Sequence, residues 1–174
     1  MTLNCLTRQK ITVKYSKDTD IDILDYCIDG RSLQETLKAR YVPEFQHGRF
    51  REFWLPILGR SDCAEKINGQ QQQQQICINI PHEHGKEIIT PLYGCHDNCC
   101  IYLFVKVCRK NDNIILWNKI GRNMEYIKNN NNENHDEDNH DNTDNNNNIA
   151  WLPDFEPILF DFQNYQNIRN QLGS

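Results

Sequence analysis

The sequence predicts an α+β domain: a small antiparallel sheet of hairpins with two or three helices packed on it, interrupted by two low-complexity inserts. Three observations indicate this fold class. Apolar and polar residues alternate in several short runs that are separated by turn residues. Two other segments repeat apolar residues at helical spacing behind an N-cap residue. A glutamine run and a long asparagine-rich tract lie between these patterned segments.

The N-terminal segment has the pattern of a β-hairpin. Ile11, Val13 and Tyr15 alternate with polar residues, and the following SKDTD supplies turn residues. A second apolar run covers about Ile23–Ile28 and ends at Asp29–Gly30, a pair typical of tight turns. We therefore expect two paired strands and a chain reversal after the second.

A helix is predicted directly after this turn. Ser32 is a favourable N-cap, and Glu35 follows three residues later, which makes a capping box. Apolar residues then repeat at helical spacing until Pro43, where the pattern is expected to end. These residues are Leu33, Leu37 and Tyr41.

The segment from residue 43 to residue 59 is aromatic and basic. Its large apolar side chains are too numerous for a free loop: Phe45, Phe50, Phe53, Trp54 and Leu55. We predict a short helical turn and an irregular segment packed across the sheet. The alternative is an exposed aromatic patch that binds a partner.

Two tracts lack the composition of a folded segment. The first, Gln70–Gln75, is pure glutamine and belongs to a Gln-rich insert at 61–75. The second, Asn129–Asn148, has no apolar side chain and belongs to an Asn/Asp-rich insert at 121–148. Such segments cannot bury enough apolar surface to offset the entropy of ordering them. We expect a single domain over residues 1–174, with both inserts in loops and the second disordered. The short run Ile76–Ile80 is either an edge strand or the rim of the first insert.

The net charge of −5 originates in the second tract. Asn129–Asn148 carries six acidic residues and no Lys or Arg, so the rest of the chain has a net charge of +1. A nearly neutral domain has no field that indicates nucleic acid or an anionic membrane as a partner. The sequence also contains no apolar run long enough for a membrane helix and no secretory signal pattern. We therefore expect a cytoplasmic protein.

The strongest hairpin signal lies in the second half of the chain. After a strand-like stretch at Ile88–Tyr93, the runs IYLFVKV (101–107) and NIILWNKI (113–120) flank a short polar loop. Trp117 lies on the second run, and we expect it in the core rather than on a binding surface.

The C-terminal segment predicts a last strand and a closing helix. PILF (157–160) has strand character, and Asp161 is a favourable N-cap. One face of the helix is expected to carry Phe162, Tyr165 and Ile168.

Several of these motifs occur in an order that resembles a family of small uncharacterised bacterial proteins. The order is an IDGRSL turn (Ile28–Leu33), then Gly94, Cys95 and Cys100 before a strand, then Trp117 and Ile120, then Pro157, Phe160, Asp161 and Tyr165. The family has a Cys-rich turn of the form G-C-x-C-G-x-x-G-C before a β-hairpin and a helix that starts at F-D-x-x-x-Y. The resemblance implies a compact α+β domain without an established activity. This chain departs from the family in its turn, GCHDNCC, which is shorter and lacks both internal glycines.

The eight cysteines are expected to be free thiols in a reducing compartment. Three of them stand in apolar, strand-like runs, where a thiol behaves as a small hydrophobic group. We expect these three in the core: Cys27, Cys77 and Cys108.

The densest group of potential metal ligands is the turn GCHDNCC, with Cys95, His96, Cys99 and Cys100. Cys95 and Cys99 have a spacing that zinc sites use, and His82 or His84 could complete a tetrahedral site. Against zinc, the sequence has no second such pair, and adjacent cysteines point to opposite sides of a strand. A tight turn with partly buried thiols is the preferred interpretation, and a structural zinc site is the alternative.

Catalytic signatures do not occur in the sequence. It contains no G-x-S-x-G, no H-E-x-x-H and no phosphate-binding G-x-x-x-x-G-K-[ST]. A nucleophilic cysteine needs a neighbour that stabilises its thiolate, and His96 is adjacent to Cys95 only along the chain. The leading hypothesis is a non-catalytic domain without a cofactor that acts through protein contacts. The alternatives are a structural zinc-binding module at Cys95–Cys100 and a small thiol enzyme.

Overall fold

The computed structural model describes residues 2–46, 48–57, 81, 83–95, 100–125 and 148–172. Within these ranges the chain forms two antiparallel sheets and helices packed on them, which confirms the α+β prediction. The predicted run at 76–80 and nearly all of both inserts lie outside the described residues.

The first sheet is built from the N-terminal hairpin. Strand β1 (Leu6–Ser16) pairs with β2 (Thr19–Ile28), and β2 pairs with the short β3 (Arg31–Ser32). Asp29 and Gly30 have φ angles of 52° and 80°, as the two-residue turn between β2 and β3 requires. The Asp29 carboxylate accepts from the Cys5 backbone N–H at 2.7 Å and from the Asn4 side chain at 2.6 Å. The predicted turn is confirmed, and these bonds attach it to the segment that precedes β1.

The predicted capping box begins the first helix, α1 (Leu33–Arg40). The Ser32 hydroxyl accepts from the Glu35 backbone N–H at 3.3 Å. All three predicted core residues of this segment are buried: Leu33, Leu37 and Tyr41. Pro43 does not end α1 itself, because it lies in the first turn of a second short helix, α2 (Val42–Phe45).

The aromatic segment that follows lies in the core. Phe45, Phe50 and Trp54 are buried, and Phe53 and Leu55 are half-buried. A short 3-10 turn (Gly48–Arg51) and strand β4 (Leu55–Pro56) carry this segment across the second sheet. The alternative of an exposed aromatic patch is therefore wrong for these three rings.

The second sheet contains the predicted strong hairpin at its centre. Its strands are β5 (Glu87–Gly94), β6 (Ile101–Asn111), β7 (Ile114–Asn123), β8 (Ile149–Trp151) and β9 (Ile158–Asp161), with β4 at one edge. Strand β6 pairs with β7 along its length, and β8 and β9 pair with the two ends of β7 on its other side.

The boundary of the Asn/Asp-rich insert requires a correction. Gly121–Asn123 belong to β7 rather than to the insert, because they pair with β8. The buried Asn123 side chain donates to the Ile101 carbonyl at 2.8 Å. The Met124 backbone N–H donates to the Asn148 carbonyl at 2.7 Å, so the two sides of the tract meet directly.

Strand β9 leads into the closing helix, α3 (Phe162–Leu172), as predicted. The Asp161 carboxylate caps it by accepting from the Asn164 backbone N–H at 2.9 Å. Tyr165 and Ile168 are buried. Trp117 is also buried, and its indole N–H donates to the Tyr165 hydroxyl at 3.3 Å, which confirms that Trp117 is a core residue.

Candidate functional site

The Cys-rich turn connects β5 to β6. Cys95 is buried and Cys100 is half-buried, and the Cys95 backbone N–H donates to the Cys100 carbonyl at 3.1 Å. This bond closes the base of the turn and holds the two cysteines across from each other. Cys99 and His96 lie outside the described residues, as does His82.

His84 lies at the opposite end of the same hairpin. An isolated β-bridge pairs its backbone with that of Arg109. Its Nε2 lies 2.8 Å from an Asp112 carboxylate oxygen beside the β6–β7 turn. The eight residues of β5 separate it from Cys95, a distance of roughly 26 Å at the rise of an extended strand. The hypothesis that His84 completes a site with Cys95 is therefore wrong. Among the described residues, no three His, Cys, Asp or Glu side chains are grouped so that they could hold a metal ion.

Two of the other described cysteines, Cys27 and Cys108, do not have the surroundings of a nucleophile. Burial raises the pKa of the Cys27 thiol, and the charge of Asp25 adds to this effect. Burial likewise raises the pKa of the Cys108 thiol. At neutral pH, both thiols therefore form the reactive thiolate less often than the thiol of an exposed cysteine does. Cys27 is buried as predicted and Cys108 is half-buried, whereas Cys77 lies outside the described residues.

A buried carboxylate stands at the centre of a polar cluster that joins three elements of the fold. Asp25 on β2 is fully buried and accepts three hydrogen bonds: from the Tyr93 hydroxyl at 2.6 Å, from the Ser32 hydroxyl at 2.6 Å and from the Gln34 backbone N–H at 3.3 Å. Burial raises the pKa of Tyr93 well above its ordinary value, so the phenol stays protonated and donates. The cluster joins β2, the start of α1 and β5, and we assign it a structural role. In the sequence, its only signal is an Asp inside the apolar run ILDYCI.

The long edge of the first sheet is a second feature that the sequence did not single out. β1 has eleven residues and pairs on one side with β2. On the other side, the Asn164 side chain binds the backbone of Leu6 twice, accepting from its N–H at 3.1 Å and donating to its carbonyl at 3.0 Å. Backbone groups in a strand alternate in direction, so Arg8, Lys10, Thr12 and Lys14 point the same way as Leu6. Within the described ranges, these four residues have no backbone partner on that side.

The side chains of this edge differ between its two faces. Arg8, Lys10 and Lys14 share one face with Thr12, whereas the half-buried Ile11 and Val13 lie on the other. Lys10 and Lys14 form ion pairs with Asp22 and Asp20 of β2 at 3.6 and 3.3 Å. These pairs are well exposed, and exposed ion pairs contribute little free energy. We name the backbone edge and side chains of residues 8–14 the β1 edge.

The described part of the chain contains no helix that is both long and apolar enough to cross a membrane. Comparisons with known protein families, with curated proteins and with solved structures found no match for this chain.

Proposed function

We propose that this protein is a non-catalytic, cytoplasmic domain that acts through protein contacts, and that it binds an extended segment of a partner protein by strand addition to the β1 edge. One observation carries the proposal: an eleven-residue strand lies at the end of its sheet, and the described residues occupy its outer backbone groups only at Leu6. Such an edge is a template for pairing with another strand.

The side chains of the β1 edge define the chemistry of the partner. A strand paired with β1 would place alternate residues beside Ile11 and Val13 on one face and beside the cationic side chains on the other. Apolar residues fit the first face and acidic residues the second. We therefore infer a partner segment that alternates apolar and acidic residues.

Two further features support contact with protein rather than with nucleic acid. Outside Asn129–Asn148 the chain has a net charge of only +1, which is too small for attraction to a polyanion over a long range. On the β1 edge, Lys10 and Lys14 are already paired with aspartates, so the local positive charge is small and fits the spaced carboxylates of a peptide rather than the continuous charge of a polyanion.

The test uses an acetylated peptide of eight residues that alternates valine and glutamate. Amide hydrogen exchange should slow at Arg8, Lys10 and Thr12, whose N–H groups face the partner, and change less at Ile11, whose N–H faces β2. A valine–lysine peptide and a peptide N-methylated on its pairing edge are the controls, and neither should protect these amides.

Lys10→Pro tests the edge from the side of the protein. It removes one outward N–H but leaves the β1–β2 ladder intact, because proline is tolerated on an edge strand when its N–H position faces solvent. Lys10→Ala is the matched control, since it also removes the charge and the ion pair with Asp22. Peptide binding that survives in Lys10→Pro as well as in Lys10→Ala would contradict strand addition at this edge.

The zinc-binding module is the second candidate function. The observation that favours it is the hydrogen bond between Cys95 and Cys100, which brings two potential ligands to the base of one turn. The raised pKa values of Cys27 and Cys108 give no support to the thiol enzyme.

A further inference from the structure

We propose that a cleft beside α1 binds a small amphipathic monoanion, meaning a molecule with one carboxylate and an apolar body. The cleft has a volume of about 550 Å³ and lies between α1, the turn that follows β2 and residues 155–158. Sites for small molecules commonly have volumes of this size. The β1 edge does not line it, so this inference is independent of the proposed function.

Two arginines line the cleft. Arg31 on β3 is exposed, and its guanidinium makes no hydrogen bond or ion pair within the ranges that the structure describes. Arg40 at the end of α1 uses one nitrogen to donate to the Asp154 carbonyl at 2.8 Å. A guanidinium has five N–H donors, so both side chains retain donors for a ligand. Two of these donors on one guanidinium can bind the two oxygens of a carboxylate in a bidentate geometry.

Tyr41 also lines the cleft. Its side chain is buried, with 5% exposed, and the Arg40 guanidinium carbon lies 5.3 Å from its ring centroid. The Tyr41 hydroxyl has no hydrogen-bond partner in the described part of the chain. Buried hydroxyl groups without a partner are uncommon and call for an explanation. Burial raises the pKa of Tyr41, so this hydroxyl is a donor at neutral pH, and we infer that it turns toward an anion held beside Arg40.

The remaining lining selects among anions. Glu156 also lines the cleft, so that the three charged side chains sum to one positive charge. This charge matches a monoanion and disfavours a dianion such as a phosphate monoester. The apolar part of the wall includes Ile28, Leu37, Phe155 and Ile158. A carboxylate with an aliphatic or aromatic body satisfies both parts of the lining.

Octanoate is the probe, and titration calorimetry measures its binding to the full chain. Octanol and octyltrimethylammonium present the same apolar body without a charge or with a positive charge. We expect saturable binding of one octanoate per chain and weaker binding of both controls.

Arg31→Gln should weaken octanoate binding by about tenfold, the effect of one charge-assisted hydrogen bond. Arg51→Gln, an exposed arginine outside the cleft, should leave it unchanged.

Tyr41→Phe separates a binding role from a structural one. Because the hydroxyl has no partner in the described residues, its loss should leave the unfolding midpoint unchanged or raised while octanoate binding weakens several-fold. The proposal is overturned if octanol binds as tightly as octanoate, or if Arg31→Gln and Tyr41→Phe both bind octanoate like the original chain. Absence of saturable binding up to about 10 mM, a dissociation constant near the weak limit of specific binding, overturns it as well.

Discussion

The buried carboxylate of Asp25 offers a sharp test of how the two sheets are joined. Asp25→Asn keeps the shape of the side chain but replaces one acceptor oxygen by an NH₂ group. The Tyr93 and Ser32 hydroxyls can rotate to accept from this group, whereas the Gln34 backbone N–H can only donate. The amide oxygen is therefore expected to face Ser32 and Gln34, and the NH₂ group to face Tyr93.

The magnitude follows from these bonds. A hydrogen bond to a charged group contributes about 1.5–3 kcal/mol and a neutral one about 0.5–1.5 kcal/mol. Asp25→Asn weakens two short bonds without removing them, so we expect a loss of about 1–3 kcal/mol in the free energy of unfolding. Asp25→Ala removes all three and leaves buried hydroxyls on Tyr93 and Ser32 without this partner, so we expect about 3–6 kcal/mol.

Urea unfolding followed by tryptophan fluorescence measures both variants. Trp54 is buried with its ring centroid 5.4 Å from that of Tyr93, so its emission reports on this region. Tyr93→Phe, alone and combined with Asp25→Asn, gives the coupling energy of the pair in a double-mutant cycle. An Asp25→Ala protein as stable as the original chain would refute the reasoning, since the carboxylate would then contribute nothing beyond its own desolvation.

Three further predictions concern separate parts of the chain. Replacing residues 129–147 with a short Gly/Ser linker should change the melting temperature by only a few degrees, because the Met124–Asn148 hydrogen bond already joins the two sides and each doubling of loop length costs about 0.6 kcal/mol. A collapse of the fold would contradict this prediction. Protein purified without added metal should contain well under one zinc per chain, and Cys95→Ser should lower the stability of the fold only slightly. Stoichiometric zinc that is lost together with the fold in Cys95→Ser would establish the zinc module instead. Burial lowers the pKa of Lys38 from 10.5 to about 8, so the unfolded chain holds this proton more tightly than the folded chain. The free energy of unfolding should therefore rise from pH 8 to about pH 10, relative to that of Lys38→Met at the same pH. Parallel stability curves of these two proteins over that range, from chemical unfolding, would show that Lys38 is not perturbed.

Local signals predicted the elements of this fold well. The Asp29–Gly30 turn, the Ser32 cap and the Asp161 cap each depend on residues within a few positions of one another, so their chemistry is visible in the sequence. The same is true of the alternation that marks β6 and β7. The β7 boundary was missed because Gly121–Asn123 is polar or small, and only its pairing with β6 and β8 makes it a strand.

Contacts between distant segments could not be predicted in this way. The Asp25–Tyr93 bond joins residues 68 apart, and no local pattern indicates which hydroxyl a buried Asp will meet. His84 was grouped with Cys95 because they are near in sequence, but an intervening strand holds them at opposite ends of a hairpin. The cleft depends on Arg31 and residues 155–158 being adjacent, which only the packing of the chain determines.

The two hydrogen bonds between Leu6 and Asn164 have a consequence for biosynthesis. They join residues 158 apart, and the Asn4 backbone N–H likewise donates to the Leu159 carbonyl at 2.7 Å. A ribosome that adds about 5–20 residues per second needs on the order of ten to thirty seconds to synthesise the intervening chain. During this interval the hairpin of β1 and β2 can form, but its outer edge lacks the amide that covers Leu6. Until α3 emerges, the nascent chain therefore exposes the backbone of Leu6 in addition to the β1 edge, and this is the period in which a chaperone would have most to bind.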